Sequence, residues 1–319
     1  MKANISRFVW PIIGICAVGI SVWLLVKEFR NLSFDDVLGS LEAIPLHRWL
    51  AAVVATLAAY AALAGYDRVA LLHLGKKLSW RFVAIASFTA YALSHSIGFS
   101  LFSGAVVRYR AYTSQGLTAG EVGVLVALCS LTFILGTLIL GGLLLVTHPA
   151  YLQRFLDVPD WAAFAIGVVA LGLVAFYVLG SLRHMRPFSI GGFKLYYPRP
   201  AIVGWQMIVA PIEILSAAAI IYFCLPAEGN PGYLAVLGIF IVSFSLAIAS
   251  HAPGGLGVLE FVFLSSLSEI DPAHVLAALI VFRVMYLVIP LAMSLVVVLA
   301  FERQQFLRRN GDPAPLSRQ

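Results

Sequence analysis

Arginine 283 lies in VLAALIVFRVMYLVIPLAM with about eight apolar residues on either side, and Glu213 is similarly isolated in IVAPIEILSAA. Carrying an ionisable side chain into an apolar layer costs at least a few kcal/mol, so each should face inward and meet a partner. Arg283 suits an anion; an ion pair with Glu213 is the structural alternative. Two further arginines, Arg108 and Arg110, fall in SGAVVRYRAY. Planar guanidinium forks match a lipid phosphate through paired hydrogen bonds. The same residues, flanked by Tyr109 and Tyr112, would also serve as interfacial anchors. The segment ASHAPGGLGVLE, residues 249–260, brings together His251, Pro253, Gly254, Gly255, Gly257 and Glu260. Proline removes a backbone donor and glycine permits tight turning, so a helix should break there. Freed backbone groups are tolerated at membrane depth only where protein or a wet cavity satisfies them. The restart at Gly255–Glu260 would aim helix N-terminal amides into that space, favouring an anion such as phosphate. Glu260 and Glu213 are candidates for receiving an amine or a proton; capping, or pairing with an arginine, is the other role open to Glu260. His95 and His251 are either proton carriers or hydrogen-bond partners of broken backbone.

The elements that must hold these residues are membrane spans. The 319 residues are 61% hydrophobic and only 11% charged, with a mean hydropathy of +0.95, more apolar surface than a soluble domain hides. Windows near 20 apolar residues, enough to cross about 30 Å of hydrocarbon, occur at 7–26, 49–66, 119–146, 161–182, 201–226 and 273–301. Two more apolar stretches, 82–107 and 232–268, are interrupted by polar residues and glycine. If all eight cross, lysine and arginine other than the intramembrane Arg283 divide 11 inside to 9 outside. If the two interrupted stretches enter and return on one side, the division is 16 to 4, as the positive-inside tendency demands. The expectation is an all-α polytopic membrane protein of six full spans and two broken, re-entrant hairpins, with both termini cytoplasmic. Span, span, hairpin, span then occurs twice, at about 7–146 and 161–301, offset by about 155 residues. This is an inverted-topology repeat, whose binding site should lie between the halves at the discontinuous helices. Ser94-His95 and Ser250-His251 repeat within the hairpins, and Gly98 belongs to the first break. Residues 1–301 form the membrane domain and 302–319 a basic, then polar, tail.

Other classes are excluded by what the sequence lacks. It has no metalloprotease, Walker A or nucleophile-elbow motif. Its three cysteines, Cys16, Cys129 and Cys224, are scattered through apolar windows and read as packing, without a disulfide or metal framework. The net charge of +6 follows from basic residues at helix ends and does not call for nucleic acid. No cofactor is implied. Asp67 and Arg68 read as interfacial, Glu121 as the complement of a helix N-terminus, and 27–48 and 183–200 as interfacial segments. Pro211 and Pro290 should kink their helices.

Three segments together carry a resemblance: Arg108-Tyr109-Arg110-Ala111-Tyr112, then Pro253-Gly254-Gly255-Leu256-Gly257-Val258-Leu259-Glu260, then Arg283-Val284-Met285-Tyr286 followed by Pro290. In order and spacing they resemble the transmembrane region of bacterial lysylphosphatidylglycerol synthase/flippase proteins and related single-domain inner-membrane proteins. The resemblance spans nearly the whole chain. It implies a domain that moves aminoacylated phosphatidylglycerol or a similar phospholipid between leaflets of the bacterial inner membrane. The soluble aminoacyltransferase domain of two-domain members has no counterpart in these residues, so the expectation is a non-enzyme, with a separate lipid-modifying enzyme and a second copy of the chain as open partners. On this reading Arg108, Arg110 and Arg283 bind lipid phosphate, Glu260 or Glu213 meets an amino group, and His95, His251 and Tyr286 line the cavity. Two alternatives stay open: a secondary transporter of a small anionic solute, and a non-transporting membrane scaffold.

Overall fold

The computed structural model describes residues 34–97, 100–155, 157–183, 188–190, 193–195, 197–250 and 253–311. The window 7–26, together with Gly98 and His251, lies outside the described residues.

Eleven described helices follow in chain order: α1 (Phe34–Glu42), α2 (Leu46–His73), α3 (Trp80–Ile97), α4 (Ser100–Thr113), α5 (Ala119–Thr147), α6 (Asp160–Leu182), α7 (Pro200–Cys224), α8 (Tyr233–Ser250), α9 (Val258–Ser266), α10 (Pro272–Arg283) and α11 (Ile289–Gly311). A short 3₁₀ turn at Pro149–Arg154 leads into α6, and Val284–Val288 joins α10 to α11 through a π turn. Within 183–200, expected to lie at the interface, two short strands pair antiparallel, β1 (Phe188–Ile190) and β2 (Phe193–Leu195), with Ser189 opposite Lys194. This is a small departure from an all-helical chain. The last helix runs on to Gly311, well into the expected tail.

Local signals explain the helix starts. Pro45 and Pro159 precede α2 and α6 in extended conformation, and Pro200 and Pro272 occupy the first turns of α7 and α10, where a missing N–H costs nothing. Asp271 caps α10 by accepting from Ala273 N at 2.8 Å. Thr118 and Glu121 form a capping box on α5, and Glu121 also meets Lys76 at 2.7 Å. The expected role of Glu121 at a helix N-terminus therefore holds.

Among the described residues, six helical stretches are long and apolar enough to cross a bilayer: Leu46–His73, Ala119–Thr147, Asp160–Leu182, Pro200–Cys224, Tyr233–Ser250 and Pro272–Phe301. Five match expected windows. The sixth, α8, is the first arm of the second interrupted stretch; at 18 residues it meets the length criterion, whereas α9 has only nine.

The bundle is organised around α2 and α7, which share its most extensive helix contact. Close approach depends on small residues, as in other membrane bundles. Between α5 and α6, a Cβ on Gly167 would lie 2.9 Å from the Gly142 carbonyl oxygen and 3.0 Å from Leu145 Cβ. Gly167→Ala must therefore push the helices apart, at about 1–3 kcal/mol. Thermal unfolding in detergent should show a lowered midpoint, and an unchanged midpoint would refute this contact. The span window of α6 is only 11% buried, so its outer surface is apolar and available to lipid tails.

Candidate functional site

The first interior charge cluster joins α2 to α4. Asp67 is fully buried. It accepts from Arg108 Nη2 at 2.8 Å and Nε at 3.1 Å, from the Tyr112 hydroxyl at 2.7 Å and from Cys129 Sγ at 3.3 Å. The Arg108 guanidinium also stacks over Tyr91, 4.3 Å from the ring centroid. This overturns the interfacial reading of Asp67: α2 continues to His73, carrying Asp67 into the bundle to face an arginine. Tyr112, expected as an interfacial anchor, is buried as well. Arg110 points outward and is exposed, as an anchor would be. Gly104 lets α4 approach α3, since a Cβ there would stand 2.1 Å from Ser94 Oγ and 3.2 Å from Arg108 Nη1.

The second cluster is built on the break. Helix α8 stops at Ser250, a 3₁₀ turn occupies Pro253–Gly255, and α9 begins at Val258. Gly254, Gly255 and Gly257 have φ of 57°, 65° and 82°, the left-handed region that glycine enters without penalty. Here the expectation from the Pro-Gly sequence holds. The amide of Gly257 is taken by Glu260 Oε2 at 2.9 Å, so an anion does sit at the N-terminus of α9, and it is the helix's own carboxylate. The other oxygen of Glu260 accepts from Arg283 Nε and Nη2, both at 2.6 Å. Arg283 Nη1 donates to the Gly254 carbonyl at 2.8 Å, and Nη2 reaches that of Gly255 at 3.4 Å. Arg283 thus finds its anion in Glu260, not in Glu213, and staples the broken backbone to α10. Carbonyls left without helical partners are satisfied in this way.

Glu213 belongs to a third cluster. It is 3% exposed and accepts from the Tyr286 hydroxyl at 2.7 Å and the Tyr66 hydroxyl at 3.4 Å. Tyr286 sits in the π turn, a local widening that often marks a working position. Pro290 has no N–H to offer the Tyr286 carbonyl one turn earlier, and the Tyr60 hydroxyl fills that place at 2.9 Å. Helix α7 runs through Pro211 without ending.

The break meets the end of α3, which packs on the 3₁₀ turn. The His95 ring stacks on Tyr286, with centroids 5.3 Å apart and planes at 19°. Ser94 Oγ and His95 Nδ1 are buried with no hydrogen-bond partner among the described residues. Such orphans are rare and mark a place where something polar belongs. Both line a cavity of about 270 Å³ whose other polar walls are Tyr66, Tyr91, Arg108, Cys129, Ser130 and Glu213. A smaller space of about 40 Å³ continues from Ser94 and His95 to Gly254 and Gly255. A separate, almost wholly apolar groove of about 610 Å³ runs between α2, α3 and α11, lined by Tyr60, Trp80, Phe88 and Met293. No group of three or more metal-ligating side chains occurs among the described residues.

Comparison with known proteins decides the family. Residues 12–294 match the model of the lysylphosphatidylglycerol synthase transmembrane region. The chain belongs to this family. An uncharacterized protein of Synechocystis, slr0712, is 32% identical over 96% of this chain and 95% of its own length. The inner membrane protein YbhN of Escherichia coli is 29% identical over 88% of each. Phosphatidylglycerol lysyltransferase of Staphylococcus aureus is 24% identical over 93% of this chain but only 35% of its own length. The likeness to the lysyltransferase is thus confined to about a third of that enzyme, and the match is to a transmembrane region.

Of the candidate site residues, the fold brings Arg108, His95 and Glu213 to one cavity, and Tyr286 hydrogen-bonds Glu213. Arg283, Glu260, Gly254, Gly255 and Gly257 form the adjoining staple, and Arg110 lies apart. Pro253 begins the 3₁₀ turn. The sequence pattern placed Asp67 at the interface and did not single out Tyr66, Tyr91 or Gln206. Gln206 is fully buried, donating to Thr132 at 2.8 Å and accepting from Tyr177 at 2.9 Å, which ties α5, α6 and α7 together. A polar residue inside an otherwise apolar helical face was the available signal.

Proposed function

We propose that this chain moves a phospholipid headgroup across the bacterial inner membrane through the polar cavity, while the acyl tails stay in hydrocarbon. The observation that carries the reading is the 270 Å³ cavity with Arg108, His95, Ser94 and Glu213 on its walls, within helices long enough to span. Its volume is near the lower end of small-ligand pockets, about 300–1,000 Å³, which suits a headgroup without its tails. The apolar groove beside Tyr60 offers acyl chains a path alongside it. Relatives named for phosphatidylglycerol chemistry support an anionic or aminoacylated phosphatidylglycerol as cargo.

In this proposal residues 1–301 form two inverted halves, α3–α4 and α8–α9 are the re-entrant hairpins, and both termini are cytoplasmic. The pairing of α2 with α7, corresponding members of the two halves, and the meeting of Ser94-His95 with Gly254-Gly255 support that symmetry. Arg108 faces the phosphate from the cavity wall. Its charge is balanced by Asp67, so the phosphate is attracted without being held too tightly to leave. Arg110 would receive the headgroup at the surface. Arg283 and Glu260 govern the break, and Glu213 meets an amine or a proton. A separate enzyme would supply an aminoacylated lipid.

The test is transfer of fluorescent phosphatidylglycerol in vesicles containing the purified chain, together with mass spectrometry of lipids that co-purify. Transfer above protein-free vesicles, with enrichment of anionic or aminoacylated glycerophospholipid, is expected. No transfer and bulk lipid proportions would refute the reading. Uptake of a water-soluble organic anion instead would establish a solute transporter.

A further inference from the structure

Three carboxylates lie in the interior clusters, and two of them are locked. Asp67 faces the Arg108 guanidinium and Glu260 that of Arg283. Glu213 differs: its hydrogen-bond partners are the hydroxyls of Tyr286 and Tyr66. A phenol donates to a carboxylate and equally accepts from a carboxylic acid, so this setting holds either protonation state with a turn of an O–H bond. Glu213 also borders the cavity, where His95 leaves Nδ1 buried and without a partner among the described residues. Tyr286 connects them, its ring stacked on His95 and its hydroxyl on Glu213.

Resting on the transport reading above, we propose that Glu213 is the proton-carrying site that couples lipid movement to a transmembrane proton gradient, with His95 as the neighbouring relay. The Glu213 carboxylate takes one proton from cavity water while the cavity opens to the acidic side and returns it when the cavity opens to the other. No electron moves and no other bond is made or broken. Among the titratable and charged groups on the elements packed around it, Tyr60 and Tyr66 of α2 and Tyr286 at the α10–α11 junction interact with it, Cys129 of α5 shares the cavity wall, and the Asp67 carboxylate of α2 is balanced by Arg108. Across the cavity stand Tyr91 and His95 of α3 and Arg108 of α4. Proton binding converts the Tyr286–Glu213 bond from one with an ionised acceptor, the stronger kind, to a neutral one. Tyr286 lies three residues from Arg283, within the same π turn that borders the staple on the Gly254–Gly255 break. The proton is in this way read out at the break.

Two measurements on the full chain test the proposal. In the first, infrared titration should show a carboxylic acid band that changes with bulk pH and is lost in Glu213→Gln, an isosteric change that keeps an acceptor for Tyr286. A titrating band unaffected by that substitution, or no titrating band, overturns the proposal. In the second, vesicles containing fluorescent phosphatidylglycerol are given pH gradients of either sign. Wild-type transfer should differ several-fold between the signs, the difference should vanish in Glu213→Gln, and His95→Asn should reduce it. Transfer equal under both signs overturns proton coupling while leaving lipid transport standing. Absence of transfer under every gradient overturns the transport reading and the coupling with it, while the infrared result still decides whether Glu213 exchanges its proton.

Discussion

Replacing Asp67 with asparagine is expected to destabilise the protein by about 3–5 kcal/mol, the cost of leaving one member of a buried ion pair without its partner. Asparagine keeps the shape and one acceptor oxygen. It removes the charge that balances Arg108 and weakens the bonds from Tyr112 and Cys129 that converge on the same carboxylate. The effect should appear as a large fall in the thermal midpoint of detergent-solubilised protein. Replacing both residues by apolar ones of similar size, Asp67→Leu with Arg108→Met, should recover much of the stability, because no unpaired charge then remains. Recovery of stability without recovery of the proposed lipid transfer would separate the two roles of Arg108, as partner of α2 and as wall of the cavity. An Asp67→Asn protein as stable as wild type would show that the pair does not hold α2 to α4.

The second large effect is expected at Arg283. Arg283→Ala strands the Glu260 carboxylate and releases the Gly254 and Gly255 carbonyls, undoing the staple between the broken segment and α10. On the proposed function, transfer of lipid, normalised to folded protein, should fall at least tenfold, about 1.4 kcal/mol or more in transition-state terms. Arg283→Lys should retain part of the activity, since an ammonium supplies the charge but cannot reach a carboxylate and two carbonyls in one plane. Wild-type transfer by a folded Arg283→Ala protein would remove the staple from the mechanism. The comparison is informative because Arg283 is already neutralised by Glu260: any functional loss then reflects control of the break more than direct capture of phosphate.

The amino-acid sequence by itself determined the membrane class, five of the six described spanning stretches, the break at Pro253–Gly257 and the interior position of Arg283 and Glu213. Each depends on local chemistry: hydropathy over a helix length, a missing N–H at proline, left-handed glycine, and the cost of charge in hydrocarbon. Only the tertiary structure decided which charge meets which. Asp67 looked interfacial because it ends an apolar window, yet α2 runs six residues further and presents it to Arg108, 41 positions away. Glu260 takes Arg283 because both adjoin the same turn, leaving Glu213 to Tyr286 and Tyr66. Pairing between helices distant in sequence leaves no mark on the hydropathy of either one; it is fixed by their rotation and crossing in the packed bundle, where every buried charge and hydroxyl must find its partner at once.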